Sequence, residues 1–150
     1  VITSENFAVA ERLGMWQAGI EMFEAAPIYG VGAGNFNVVY DRYRVPQFLY
    51  SRGHAHNYYI HVAAETGIIG LVAYALVLVG AWVDVVRGLR GVSTGWPRAL
   101  VLGAAGVLAA VMTHNLGENL HVLNMNLHLF AVLAIPALAL RLNQPVAAQP

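Results

Sequence analysis

A chain of 150 residues that is 58% hydrophobic and 11% charged departs from the roughly one-quarter charged composition of soluble domains, and it reads as a membrane protein. Its eight cations, all arginine, balance eight carboxylates to zero net charge, and no basic stripe suited to a phosphodiester backbone occurs, which argues against a nucleic-acid partner. The absence of cysteine removes disulfides and thiolate metal centres.

The chain begins at Val1 without the charged and short apolar stretches of a signal peptide, so a piece of a longer protein is expected rather than a processed secretory one. Ser4 is a plausible helix N-cap. Val9, Leu13, Trp16, Ile20 and Phe23 follow at spacings of four, three, four and three, predicting a helix over 5–25 with one apolar stripe. Arg12 falls beside Trp16 at the stripe's edge, where a guanidinium with its stem on apolar surface is the simplest reading. Pro27 ends the helix.

Residues 27–36, Pro-Ile-Tyr-Gly-Val-Gly-Ala-Gly-Asn-Phe, place glycines at alternate positions. A dinucleotide-binding loop would need a preceding strand and a different glycine spacing; a tight turn with closely packed backbone is expected instead. Residues 37–53 show no period and mix arginines with tyrosines, as a solvated loop or short helix near an interface would.

Polar chemistry then crowds into 54–65. His54, His56, Asn57, His61 and Glu65 stand directly before Thr66–Val83, 18 residues without a charge, about the length that crosses the hydrocarbon core. Nine of these are Ile, Leu or Val, together worth about −3 to −5 kcal/mol for insertion. Residues 84–98 form a connector with Arg87, Arg90 and Arg98. Further spans are expected at about 98–116 and 120–140, the former rich in the small residues that let membrane helices pack closely, the latter containing Pro136 and capped by Arg141. The 113–121 turn between them carries Glu118 and no arginine. The predicted fold is all-α: an extracytoplasmic helical subdomain over 1–65, three transmembrane helices within 66–141 (about 66–86, 98–116 and 120–140), and a tail over 142–150. Arginine asymmetry puts the 84–98 connector on the cytoplasmic side and residues 1–65 outside.

Two readings of the polar residues compete at this level. His54, His61 and Glu65 could form a metal site, but His54 and His56 on extended chain would point apart. Asn57, His61 and Glu65, at successive i, i+4 positions, more simply form a hydrogen-bonded stripe. His121, Asn124 and His128 near the outer end of the third span suit helix–helix hydrogen bonding or a cleft lining.

His56-Asn57, nine residues, then Gly67-Ile68-Ile69-Gly70 resembles the H-N-x9-G-x-x-G signature of the bacterial O-antigen ligase superfamily, which also includes O-antigen polymerases and protein O-oligosaccharyltransferases. Arg12-Leu13-Gly14-Met15-Trp16 is similar to that family's arginine-bearing helix, and residues 27–36 to its P-x-x-G-x-G-x-G-x-F turn. The resemblance implies a multi-pass GT-C-class enzyme of the bacterial inner membrane, residues 1–65 facing the periplasm. It would transfer a glycan from an undecaprenyl-diphosphate carrier to a hydroxyl of lipid A-core, of a glycan or of a protein, with no metal or other cofactor. His56 and Arg12 correspond to the essential pair, and Asn57 and Glu65 to substrate-binding positions of the motif. The resemblance further implies membrane-lipid surroundings and preceding transmembrane helices that supply another basic residue, so this stretch alone is expected to be inactive. In this scheme His56 accepts the hydroxyl's proton and Arg12 binds the diphosphate. A transporter or flippase with proton-relaying histidines, and a structural membrane anchor, are the alternatives from other classes. The polar cluster at the rim rather than the bilayer midplane favours the transferase.

Overall fold

A computed structural model describes residues 3–121 and 125–142, and among them all regular structure is helical. Five helices follow in order: α1 (Phe7–Ala25), α2 (Phe36–Tyr43), α3 (Tyr58–Gly91), α4 (Gly95–His114) and α5 (Met125–Leu142). The chain divides into two compact units, Val1–Ala75 with Thr113–Leu120, and Leu76–Met112 with His121–Pro150. Helices α3, α4 and α5 are each long and apolar enough to cross a membrane. The first of them starts at Tyr58, before the apolar run, because Asn57 caps it: Asn57 Oδ1 accepts from the Ile60 amide at 3.1 Å, the N-cap-to-N3 bond that satisfies an otherwise orphaned donor.

The first unit is built on α1, α2, the opening of α3 and the 113–120 turn. Its core gathers Met15, Ala18, Met22, Phe36, Tyr40, Ala55 and Ala64. The sequence-expected stripe on α1 is not the buried face. Val9, Leu13 and Ile20 are exposed, Leu13 at 54%, while Gly14, Met15, Ala18, Gly19 and Met22 are buried. Small residues win because of what lies against them: a Cβ on Gly14 would come within 2.4 Å of the Phe48 ring, and one on Gly19 within 2.6 Å of Ile60. Apolar spacing alone marks which residues share a face, not which face meets a partner. Residues 36–43 resolve the unpatterned stretch into α2, whose Phe36 and Tyr40 are buried and whose Tyr40 hydroxyl donates to Phe48 O at 3.1 Å.

Within α3 the helical path breaks at Gly67, where φ is 64° and ψ −162°. In unbroken helix the Ile68 and Ile69 amides would donate to Ala64 O and Glu65 O. Here Ile68 N–H donates to Pro27 O at 2.8 Å and Ile69 N–H to Ile28 O at 3.5 Å, while Ala64 O and Glu65 O accept from Val31 N–H and Gly32 N–H, both at 2.9 Å. The glycine-rich turn has substituted itself for two rungs of the helix, leaving no backbone group of those rungs unpaired. Contact at such range tolerates no side chain at the two points of closest approach. A Cβ on Gly30 would sit 2.3 Å from Glu65 C, and one on Gly67 2.3 Å from Ile28 O. The kink also folds Thr66 over Gly70, where a Cβ would meet Thr66 Oγ1 at 1.8 Å.

In the second unit, Trp82 Nε1 donates to Met112 Sδ at 3.1 Å. Gly88 lies against Val101 and Pro136, and Gly91 against Leu140, so α3 meets both later helices through missing side chains, the packing mode expected of membrane helices. Arg98 donates to Leu89 O at 2.8 Å and Val92 O at 3.0 Å, occupying carbonyls at the end of α3.

Gly67→Ala combines an unfavourable φ with a backbone collision and is expected to cost about 1–3 kcal/mol or more. Gly103→Ala in α4, where a Cβ meets nothing within 4 Å, is expected to be neutral or stabilising by up to about 1 kcal/mol. Thermal unfolding of the detergent-solubilised protein checks both; an undisturbed melting temperature for Gly67→Ala would refute the account of the break.

Candidate active site

Two separate stretches of the first unit converge on one carboxylate supplied by a third. Glu118, in the turn after α4, lies 2.8 Å from His56 Nδ1 through Oε1 and 3.5 Å from Arg12 through Oε2, with His54 Nδ1 3.9 Å from Oε1. Arg12 and His56, 44 positions apart, thus share a partner, and α1 also touches the histidine directly: Trp16 Nε1 donates to the His56 carbonyl at 3.1 Å. Arg12 remains 44% exposed, leaving guanidinium surface open to an incoming anion.

His56 is held in an unusual backbone state, the one described non-glycine residue with positive φ, 52°. That conformation turns the chain so that His54 and His56 come together instead of pointing apart as extended chain would dictate. Their rings are centred 4.3 Å from each other, and His54 Nδ1 accepts the His56 amide at 3.2 Å. Positive φ at a bulky residue costs free energy and persists only where surroundings enforce it. Here the Trp16 bond to the carbonyl, the His54 bond to the amide and the Glu118 bond to the ring do so.

The turn carrying Glu118 is stitched to the start of α3. Asn57 Nδ2 donates to Leu116 O at 2.9 Å, the Tyr58 amide donates to Asn115 O at 2.9 Å, and buried Asn115 accepts the Leu120 amide at 3.2 Å. Asn57 therefore uses both ends of its amide in placing the neighbouring His56 and the distant Glu118. Glu65 lies elsewhere in the unit: its carboxylate accepts from the Gly34 amide at 2.8 Å and the Phe36 amide at 2.9 Å, capping α2 from across space and complementing that helix's dipole. Its other neighbour is His61, at 3.7 Å. The structure thus brings Arg12, His56 and Asn57 to one cluster and places Glu65 on the glycine turn. Glu118, unassigned from sequence, was detectable only as a lone carboxylate in an arginine-free turn expected on the same membrane side as His56. His121 bonds Asn126 in the second unit and His128 is exposed, while Asn124 lies outside the described residues.

Burial works to raise the Glu118 carboxyl, but the Asn119 amide, the His56 hydrogen bond and the charges of His56 and His54 together hold it below the usual glutamate value. Burial, followed by the charge of His56, lowers His54 against the opposing pull of Glu118. An ionised carboxylate only accepts hydrogen bonds, so at the 2.8 Å contact His56 Nδ1 donates to Glu118 Oε1, and Nε2 is the ring nitrogen left to take a proton. Donor atoms of His54, His56 and Glu118 also lie within 4.8 Å of one another, a set that could hold a cation. Among the described residues this set, and not His54, His61 and Glu65, is the one brought within such reach.

Residues 3–75 match the O-antigen ligase family model. The exopolysaccharide production protein ExoQ of Rhizobium meliloti (strain 1021) is 33% identical over 106 residues, covering 67% of this chain, and the chain spans 24% of that relative's length. No solved structure matches. The chain belongs to the O-antigen ligase/polymerase superfamily, and its three apolar helices make it part of a multi-pass membrane protein.

Because the Glu118 carboxyl is depressed in the folded state, the stability it contributes is complete above the ordinary glutamate value of about 4.3 and is lost as pH falls through the lowered value. Thermal scans between neutral and acid pH are expected to show an acid-side loss of stability that Glu118→Gln reduces. An identical pH dependence in the variant would remove Glu118 from the electrostatic account.

Proposed function

We propose that the intact enzyme carrying this chain transfers a glycan from an undecaprenyl-diphosphate carrier to an acceptor hydroxyl, with His56 and Arg12 as the reacting pair. The observation that supports this reading is their convergence on Glu118 from opposite ends of the subdomain. The acceptor hydroxyl gives its proton to His56 Nε2 while its oxygen forms a bond to the anomeric carbon. The bond from that carbon to the carrier's diphosphate oxygen breaks, and the diphosphate leaves as an anion against the Arg12 guanidinium. A positioned imidazole base contributes about 10²–10⁴-fold, and charge stabilisation at the leaving group is of comparable or greater weight. Glu118 holds the Nδ1 tautomer and stabilises the imidazolium, the division of labour seen in carboxylate–histidine–nucleophile arrangements. Asn57 acts by positioning, and Glu65 by fixing the glycine turn.

In this reading the site lies on the periplasmic side of the bacterial inner membrane, where a lipid-borne donor presents its diphosphate at the rim. The arginine asymmetry of the loops supports that orientation. An introduced Asp41→Cys or Gly117→Cys is expected to react with an impermeant thiol reagent from outside, and Ser93→Cys only after permeabilisation. Labelling of position 93 in intact spheroplasts would invert the assignment. The similarity to a protein named for exopolysaccharide production favours a second variant of the reading, in which the acceptor is a growing glycan rather than lipid A-core.

Transfer activity with lipid-linked donor tests the chemistry. His56→Ala and Arg12→Ala are each expected to lower kcat by at least about 10²-fold, with membrane insertion retained. Arg12→Lys is expected to stay impaired because a point charge lacks the planar fork. The same preparation is expected to keep its activity after thorough chelation. Full activity in His56→Ala would defeat the assignment, and a chelation loss restored by Zn²⁺ would turn His54, His56 and Glu118 into ligands.

A further inference from the structure

The same unit carries a groove of about 360 Å³ that the transfer step leaves unused, with Phe7, Glu11, Gln47, Phe48, Tyr50 and Arg52 in its wall. Its volume is within the range of small-molecule sites, about 300–1,000 Å³. Two aromatic rings, Phe7 and Phe48, meet edge to face with centroids 6.0 Å apart, and Tyr50 stands 81% exposed at its edge. Across from them Arg52 binds Glu11, with Nε and Nη2 both 3.0 Å from Oε1. Because both contacts fall on one carboxylate oxygen, Oε2 still accepts and the rest of the guanidinium still donates. A second groove of about 310 Å³ opens on the other side of Gln47 and Phe48, with Leu13 and Gln17 in its wall, so the concave surface continues along α1.

We infer that this groove is a glycan subsite that seats sugar residues next to the scissile bond. Pyranose rings present C–H faces and hydroxyl edges, and the groove offers the matching pair: the exposed rings of Phe7 and Tyr50, the former backed by buried Phe48, and the charge-assisted donors and acceptors of Arg52 and Glu11. An acyl chain or the bilayer's apolar interior would satisfy the rings but desolvate the Glu11–Arg52 pair without replacing its water. The groove is also placed for the task by covalent connection. Glu11 precedes Arg12 on α1, and Arg52 lies two residues before His54, so the segments that hold the sugars are those that hold the reacting groups.

This inference deepens the transferase reading and is tested by a readout that does not need turnover. A fluorescently tagged oligosaccharide of several sugars, cut from the host's own surface polysaccharide, is titrated onto the intact enzyme in nanodiscs. Tyr50→Ala and Glu11→Gln are each expected to weaken its binding about tenfold, while Tyr50→Phe retains it. Unchanged binding in both Tyr50→Ala and Glu11→Gln overturns the subsite. In turnover, shortening either the donor's or the acceptor's glycan to one sugar is compared with the full-length substrate. The arm in which Glu11→Gln lowers the long-to-short kcat/KM ratio, through KM, identifies which glycan occupies the groove. Oligosaccharide binding that depends on Glu11 and Tyr50 in an enzyme that transfers nothing would sink the transferase reading and leave the subsite standing.

Discussion

The exchange of backbone hydrogen bonds between the 27–32 turn and the break in α3 is the constraint on which the first unit depends. It sets the turn that follows α1 against the first third of α3 with ångström tolerance, since Gly30 and Gly67 each abut the other segment's main chain. From that junction α1 runs back past the opening of α3, where Gly19 admits Ile60 and Trp16 reaches the His56 carbonyl. Glu65, immediately beside the break, extends the same junction to α2 through its two capping bonds. A membrane-entering helix thus serves as the post to which a mixed-composition subdomain is tied, and the buried Met15, Met22, Phe36 and Tyr40 fill what the ties enclose.

The second organising contact is ionic. Glu118 draws together residues from α1, the 54–56 stretch and the turn after α4, and the Asn57 and Asn115 bonds supply the geometry that an ion pair alone lacks. Partly exposed ion pairs contribute little to stability, so this one is better understood as orientation: it fixes a ring tautomer and parks a guanidinium.

Much of the architecture was legible from residues. Helical class, three apolar spans and the tight character of the 27–36 turn follow from length, charge-free runs and glycine spacing, and the membership of the chain follows from His56-Asn57 with Gly67 and Gly70. The buried face of α1 was not legible, because glycine and alanine register as weakly apolar while being the residues that admit a neighbour. Nor was the pairing of His54 with His56, which depends on a single positive φ that no propensity assigns to histidine. Glu118 lies 62 residues from His56, and nothing local in Asn115-Leu116-Gly117-Glu118 signals the distance it closes; the asparagines that bring it there are common turn residues.

The broken helix also dictates where the chain can change length. Four backbone bonds pair Pro27 and Ile28 with Ile68 and Ile69, and Val31 and Gly32 with Ala64 and Glu65, so a residue inserted or deleted within either segment pulls bonded pairs out of register or brings a side chain against main chain at Gly30 or Gly67. The stretch between α2 and α3 has no such ladder, and Gly53 there faces open space. Within the first unit a change of length is therefore accommodated more readily in 45–53, the stretch that supplies Gln47, Tyr50 and Arg52, than in either glycine motif.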